Sequence, residues 1–311
     1  MEQIATRDVY GKTLVELGKQ YKDIVVLDAD LCASTKTILF AKEFPERFFN
    51  MGVAEQNLIG FASGLAASGK TAFASTFAMF ATGRAWEQVR NTACYNNLNV
   101  KIVCSHSGIT VGEDGSSHQS LEDIAIMSAI PNMTVVVPCD GPQTRNAVIS
   151  AYHKKGPIYI RLSRSKFPVL TKDSDTFTIG KAATIRDGED VTIIACGLLV
   201  SKAFEATEIL LGKGIHARLI NMHTIKPIDN ESIIKAAKET GAIVTAEEHS
   251  VIGGLGSTVA SVLAENHPTP VEMVGTKDVF GQSGTPDELI AKYHLDTTDI
   301  VNAAEKVIKR K

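Results

Sequence analysis

The sequence predicts an α/β protein of two domains, each a mostly parallel sheet flanked by helices. Three observations carry that expectation. Short β-branched runs alternate with helical patterns along the chain, as a parallel sheet with crossover helices requires. Several of these runs are almost continuously apolar, which marks strands covered on both faces. Periodicity then lapses into a polar stretch, Thr171 to Thr178 (TKDSDTFT), that reads as a linker. It divides the 311 residues into domains 1–175 and 176–311, each long enough to bury its own core.

In the first domain, strands are predicted at Asp23 to Asp30, Thr71 to Phe77, Val100 to His106, Met133 to Asp140 and Pro157 to Arg164. Helical periodicity covers Asp8 to Tyr21, Thr35 to Glu43, Ala54 to Ser68, Met79 to Tyr95 and Gln143 to Lys154. The second domain repeats the alternation. Its strands are expected at Val191 to Cys196, His216 to Asn221, Ala242 to Glu247 and Val271 to Val274. Its helices are expected at Val200 to Lys213, Asn230 to Thr240, Ser257 to Glu265 and Thr285 to Tyr293.

Composition excludes several function classes. A hydrophobic fraction of 44% and a charged fraction of 22% are those of a folded soluble protein. A net charge of −3 argues against nucleic acid as a partner, which demands a basic face. No apolar run approaches the roughly 18 residues of a membrane span, and the first residues lack the basic and apolar regions of a secretion signal. Five scattered cysteines, without metal-type spacing, read as reduced core thiols. A cytoplasmic location is the expectation.

Three motifs carry chemistry. Gly52 to Gln56 (GVAEQ) places Glu55 at the start of a helix rich in small residues. Phe77 and Phe80 follow in STFAMF, and then comes a polar, glycine-rich loop, HSGITVGEDGSSHQ, from His106 to Gln119. Each residue alone has a plainer reading. Glu55 could serve the helix dipole, the phenylalanines could be core, Asp114 a turn former, Ser34 an N-cap and Arg7 a solvated side chain.

Taken in order, these motifs resemble the pyrimidine-binding domain of transketolases. NMHTIKPID, TAEEH, GGLG and DVFGQSG in the second half resemble the transketolase C-terminal domain, so the resemblance covers essentially the whole chain. It implies thiamine diphosphate as cofactor, with Glu55 hydrogen-bonding N1′ of the aminopyrimidine. Burial among Ala, Gly and Phe favours a proton shared with that nitrogen. Phe77 and Phe80 would wall the ring, and Asp30 matches an acid near the thiazolium. Asp114 is implied to read the ketose C2 hydroxyl, and His118 the hydroxyls near the carbonyl. Arg7, Ser34, His106 and Arg164 match the phosphate-end residues, where a guanidinium can bond two oxygens at once. The family often has a further aromatic where this chain has Gly83. Arg161 reads as structural, and His249 and Asp278 as stabilising the second domain.

The family's diphosphate site is not here. Three Asp-Gly pairs occur, at Asp114, Asp140 and Asp187, preceded by Glu113, Cys139 and Arg186, so none forms Gly-Asp-Gly. No cluster offers the oxygen ligands of a hard cation, and GGLG reads as a tight turn. The resemblance therefore points to the C-terminal subunit of a split transketolase. A separate N-terminal subunit would carry the diphosphate domain and Mg²⁺ or Ca²⁺, in an α2β2 assembly acting on sugar phosphates. The rival readings are the β subunit of a 2-oxo acid dehydrogenase first component and a non-catalytic assembly or regulatory paralogue.

Overall fold

The computed structural model describes residues 2–311. The first half contains strands β1 (Gln3–Ala5), β2 (Ile24–Asp28), β3 (Phe48–Asn50), β4 (Thr71–Ser75), β5 (Val100–Cys104), β6 (Thr134–Val136), β7 (Ile158–Arg161) and β8 (Lys166–Pro168). Its helices are α1 (Thr6–Gln20), α2 (Cys32–Thr35), α3 (Ile38–Glu43), α4 (Glu55–Ala67), α5 (Asp123–Ser128) and α6 (Gly141–His153). The second half holds β9 (Ala183–Arg186), β10 (Val191–Ala195), β11 (Ala217–Asn221), β12 (Thr224–Lys226), β13 (Ile243–Ser250) and β14 (Val271–Thr276). Its helices are α7 (Leu199–Gly212), α8 (Asn230–Thr240), α9 (Leu255–Asn266), α10 (Pro286–Lys292) and α11 (Thr297–Ile308).

The large sheet runs β12-β6-β7-β5-β4-β2-β3 and is parallel except at β12. The second runs β14-β13-β10-β11-β9, with only β9 antiparallel. Every residue of β2, β4, β5 and β10 is buried, as mostly apolar strands covered on both faces should be. One apolar cluster crosses between the halves, with Val135 and Val137 packing alongside Met222, Ile225 and Ile233.

Several elements depart from the sequence expectation. The helix predicted over Thr35 to Glu43 breaks at Lys36, which is left-handed at φ 71°. The cause is buried Asp28, whose carboxylate accepts from Leu31 N at 2.6 Å, Thr35 Oγ1 at 2.6 Å and Thr37 Oγ1 at 2.9 Å. Side chains that bond locally compete with helical continuation. The helix predicted over Met79 to Tyr95 forms two π-helical stretches, Phe80–Arg84 and Gln88–Cys94. Short β3 and β12 and the amphipathic α11 were not foreseen.

Lys101 in β5 is fully buried, its ammonium donating to Lys154 O at 2.6 Å and Gly156 O at 2.7 Å. Burial, then the charges of Lys155 and Lys154, pull its pKa down from 10.5 to about 7. Between those values the unfolded chain binds more protons than the folded one, so stability rises with pH. Lys101→Met is expected to flatten the rise in urea midpoint between pH 7 and pH 10. An unchanged slope in the variant would remove Lys101 as its source.

Candidate functional site

Chain connections leave β2 toward β3 on one side and β4 toward β5 on the other. Such a switch point opens a crevice at the carboxyl ends of the strands. The predicted residues come from segments following those ends: Asp30 and Ser34 after β2, Glu55 after β3, Phe77 and Phe80 after β4, His106 after β5 and Arg164 after β7. The bridge Phe77↔Ser105 carries the pairing of neighbouring strands on into these loops.

Asp28 shapes the first loop. Beyond it, Asp30 takes positive φ (64°) and accepts from Asn50 Nδ2 at 2.8 Å. Asn50 Oδ1 in turn accepts from Gly52 N at 3.0 Å, joining exposed Asp30 to the GVAEQ turn. Ser34 is not an N-cap: it lies inside α2, and its carbonyl accepts from Arg7 Nη1 at 3.1 Å.

Glu55 is the first residue of α4 and only 5% exposed. The sequence expectation surrounded it with apolar groups, whereas the structure adds a cation. Arg84 Nη1 lies 3.2 Å from Glu55 Oε1, and the guanidinium carbon is 4.4 Å from the Phe80 ring centroid. The signal for this was the four-residue step from Phe80 to Arg84, which puts cation and ring on one helical face. Phe80 stacks on Phe77 at 5.8 Å, and Phe77 on His106 at 3.8 Å between centroids. His118 meets Phe80 edge-on at 5.2 Å.

His106 links this aromatic wall to Arg7, whose Nη1 is 3.2 Å from His106 Nε2. A guanidinium only donates, so Nε2 is the acceptor and the ring proton sits on Nδ1, donating to Ser105 Oγ at 2.8 Å. Burial, followed by the charges of Arg7, Arg164 and His118, lowers the His106 pKa to about 3. Burial also lowers that of Arg7, with Asp8 opposing and Arg164 adding to the effect. Arg7 Nε is buried without a hydrogen-bond partner. Contacts thus run without a gap from Glu55 through Arg84, Phe80, Phe77 and His106 to Arg7 and Ser34.

The glycine-rich loop lies beside this row. Arg164 Nη1 donates to Val111 O and to Glu113 Oε2 at 3.1 Å, and stands 3.9 Å from Asp114 Oδ2. Asp114 is exposed and His118 partly so, with Ser117 Oγ 2.9 Å from His118 Nδ1. A cavity of about 500 Å³ lies elsewhere, between β14, α10 and α11. None of the predicted site residues lines it. Among the described residues, no group of three or more His, Cys, Asp or Glu is arranged to hold a metal ion. Nor is any helix long and apolar enough to cross a membrane.

A buried polar network joins the two halves beneath the loop. Asp123 Oδ2 accepts from Tyr159 OH at 2.6 Å and Arg161 Nε at 2.8 Å. Burial alone would raise the Asp123 pKa, but Arg161 and then His249 hold it below the ordinary carboxylate value. Arg161 Nη2 also donates to Ser120 O and, across the halves, to Glu248 O at 3.0 Å. Glu247 accepts from Leu255 N at 2.7 Å and Gly256 N at 2.8 Å. Two of the GGLG amides are therefore taken by the protein's own carboxylate, whose pKa burial pushes up to about 7. His249 Nδ1 donates to Ser250 O at 2.7 Å, and the ring lies buried in this network with Nε2 facing Ala125 N and Asp123 of the first half.

Comparison with known proteins gives these positions a family. Residues 2–169 match the transketolase pyrimidine binding domain and residues 180–300 the transketolase C-terminal domain. A putative transketolase C-terminal section from Methanocaldococcus jannaschii is 54% identical over 98% of this chain and 96% of its own length. A 6-deoxy-6-sulfo-D-fructose transketolase subunit from Clostridium sp. strain MSTE9 is 45% identical, covering 100% of this chain and 97% of its own. A solved split-gene transketolase, described as an inactive β4 tetramer, superposes with a TM-score of 0.93 at 54% identity, covering 98% of this chain and 99% of that one. Thiamine diphosphate is the cofactor that this family implies. The chain belongs to the transketolase family and is built of its pyrimidine-binding and C-terminal domains.

Proposed function

We propose that this chain is the C-terminal subunit of a split transketolase, moving a two-carbon ketol unit reversibly from a ketose to an aldose. The observation that carries this reading is the unbroken row of contacts from Glu55 across Phe80 and Phe77 to His106 and Arg7. It sets a buried carboxylate at one end, an aromatic wall in the middle and cations at the other. A planar heteroaromatic ring with a basic nitrogen fits the first part, since a guanidinium already stacks on Phe80 while bonding Glu55. A ketose with a terminal anion fits the rest.

Thiamine diphosphate, when bound, supplies the electron sink for the two-carbon fragment. Glu55 would share a proton with N1′ of the aminopyrimidine, and Phe77 and Phe80 would exclude water from the ring. Asp30 would stand toward the thiazolium. Asp114 and His118 orient the ketose near its carbonyl, while Arg7, Ser34 and Arg164 receive the terminal anion, with His106 backing Arg7. Neutral His106 presents Nδ1–H to Ser105 and takes Arg7's hydrogen bond, so it orients the guanidinium. The relative from Clostridium is named for a sulfonated fructose, which supports an anion receptor here but leaves phosphate and sulfonate as competing donors.

The functional division is placed at 1–175 and 176–311. A separate N-terminal subunit would hold the diphosphate through Mg²⁺ or Ca²⁺ in an α2β2 assembly. The absence of Gly-Asp-Gly and the inactivity stated for the β4 relative support a shared site.

Calorimetry with thiamine diphosphate and Mg²⁺ tests the assembly. Tight binding is expected only when the chain is mixed with its partner, and tight binding by the chain alone would overturn the shared site. Ketol transfer from xylulose 5-phosphate and from 6-deoxy-6-sulfofructose then separates the donors. Turnover of a 2-oxo acid in their place would move the chain to the 2-oxo acid dehydrogenase class.

A further inference from the structure

The loop bearing Asp114 and His118 is held by more than its own contacts. Gly108, Gly112 and Gly115 all lie at positive φ (77°, 83° and 78°), where glycine is permissive and loses the most freedom on ordering. Hydrogen bonds within the loop offset part of that cost, and contacts from the second domain add to them.

Glu248 of β13 is 3% exposed, and its Oε1 accepts the Thr110 N–H at 2.6 Å. It sits directly against the loop: a Cβ added to Gly108 would lie 2.3 Å from Glu248 Cδ. At the far end, Gln119 Nε2 donates to Gln282 O at 2.9 Å as well as to Ile109 O at 3.1 Å. Between them, a Cβ on Gly115 would meet Ser283 Oγ at 2.6 Å. Entry, middle and exit of one loop thus rest on the other domain.

We propose that Glu248 is a positioning residue for donor recognition: through Thr110 it holds the 108–119 loop so that Asp114 and His118 meet the ketose. This makes the C-terminal domain part of the specificity apparatus. The inference rests on the assignment of Asp114 and His118 to the donor.

The test uses the enzyme reconstituted with its N-terminal partner, together with hydrogen exchange on the chain. Glu248→Ala is expected to raise the donor KM about tenfold, the scale of one lost hydrogen bond to a buried group. The acceptor KM and thiamine diphosphate affinity should hold, and kcat should change little. Amide exchange should quicken in 108–119 and stay constant in β10. Glu248→Gln keeps an acceptor oxygen for Thr110 and should restore both loop protection and donor KM.

Should Glu248→Ala fail to fold, Gln119→Ala tests the same clamp at Gln282 and should give the same donor-only change. Unchanged loop exchange, or donor and acceptor KM rising together, would overturn the positioning role. A loosened loop with an unchanged donor KM would also overturn it. Asp114→Ala then tells which premise failed: an unchanged donor KM there shows that the donor assignment was wrong, whereas a raised one shows that Glu248 does not act through the loop.

Discussion

Glu55→Gln is expected to lower ketol transfer by about 10²- to 10⁴-fold, the range attributed to one acid–base group, and to leave the fold intact. The amide keeps the carboxylate's shape but cannot share the proton at N1′. Stability should barely move. Glu55 is 5% exposed but its partner Arg84 is 55% exposed, and a half-solvated pair contributes at most about 1 kcal/mol. Steady-state rates in the reconstituted enzyme, with urea unfolding of the variant as control, decide the matter. Turnover within a few-fold of wild type would sink the catalytic assignment and favour a non-catalytic assembly subunit.

The second large effect concerns stability. Asp123→Ala is expected to cost about 3–5 kcal/mol, because it strands a buried guanidinium and a buried phenol. Asp123 is fully buried and Arg161 is 4% exposed, so water cannot replace the lost carboxylate. Arg161 also bonds Glu248 O, so the loss should be felt in both halves and appear as one cooperative shift in the urea midpoint. Asp123→Asn, which can still accept from Tyr159 or Arg161, should lose less. A loss below about 1 kcal/mol for the alanine variant would show that the network does not hold the halves together.

Where burial is two-sided, the sequence was a sufficient guide. The strands at Ile24–Asp28, Thr71–Ser75 and Val100–Cys104 fall inside their predicted runs, because each is mostly apolar and buried on both faces. Motifs were legible for a related reason: Glu55, Phe77, His106 and Arg164 follow the carboxyl ends of recognisable strands. What stayed hidden depends on side-chain partnerships that hydrophobic periodicity does not report. Nothing local to Asp28 announces that it will hold Thr35 and Thr37 and break a helix. Arg84 reads as an ordinary helical cation until α4 brings Glu55 beside it. Glu247 and Glu248 gave the clearest unused signal, since polar side chains within an otherwise apolar strand must find buried partners.

The large sheet is completed by a strand that belongs, in sequence, to the other domain. β12 pairs with β6 through Thr224↔Val136 and Lys226↔Val135, and Lys226 Nζ caps Ser128 O and Ile130 O at 2.8 and 2.6 Å. A fragment ended at residue 175 would bare the backbone of β6, leaving an open edge that recruits other chains. The linker is thus a poor place to cut this protein, however polar it looks. Recombination or truncation there would yield an aggregating half, whereas exchange of the whole chain preserves every strand of both sheets.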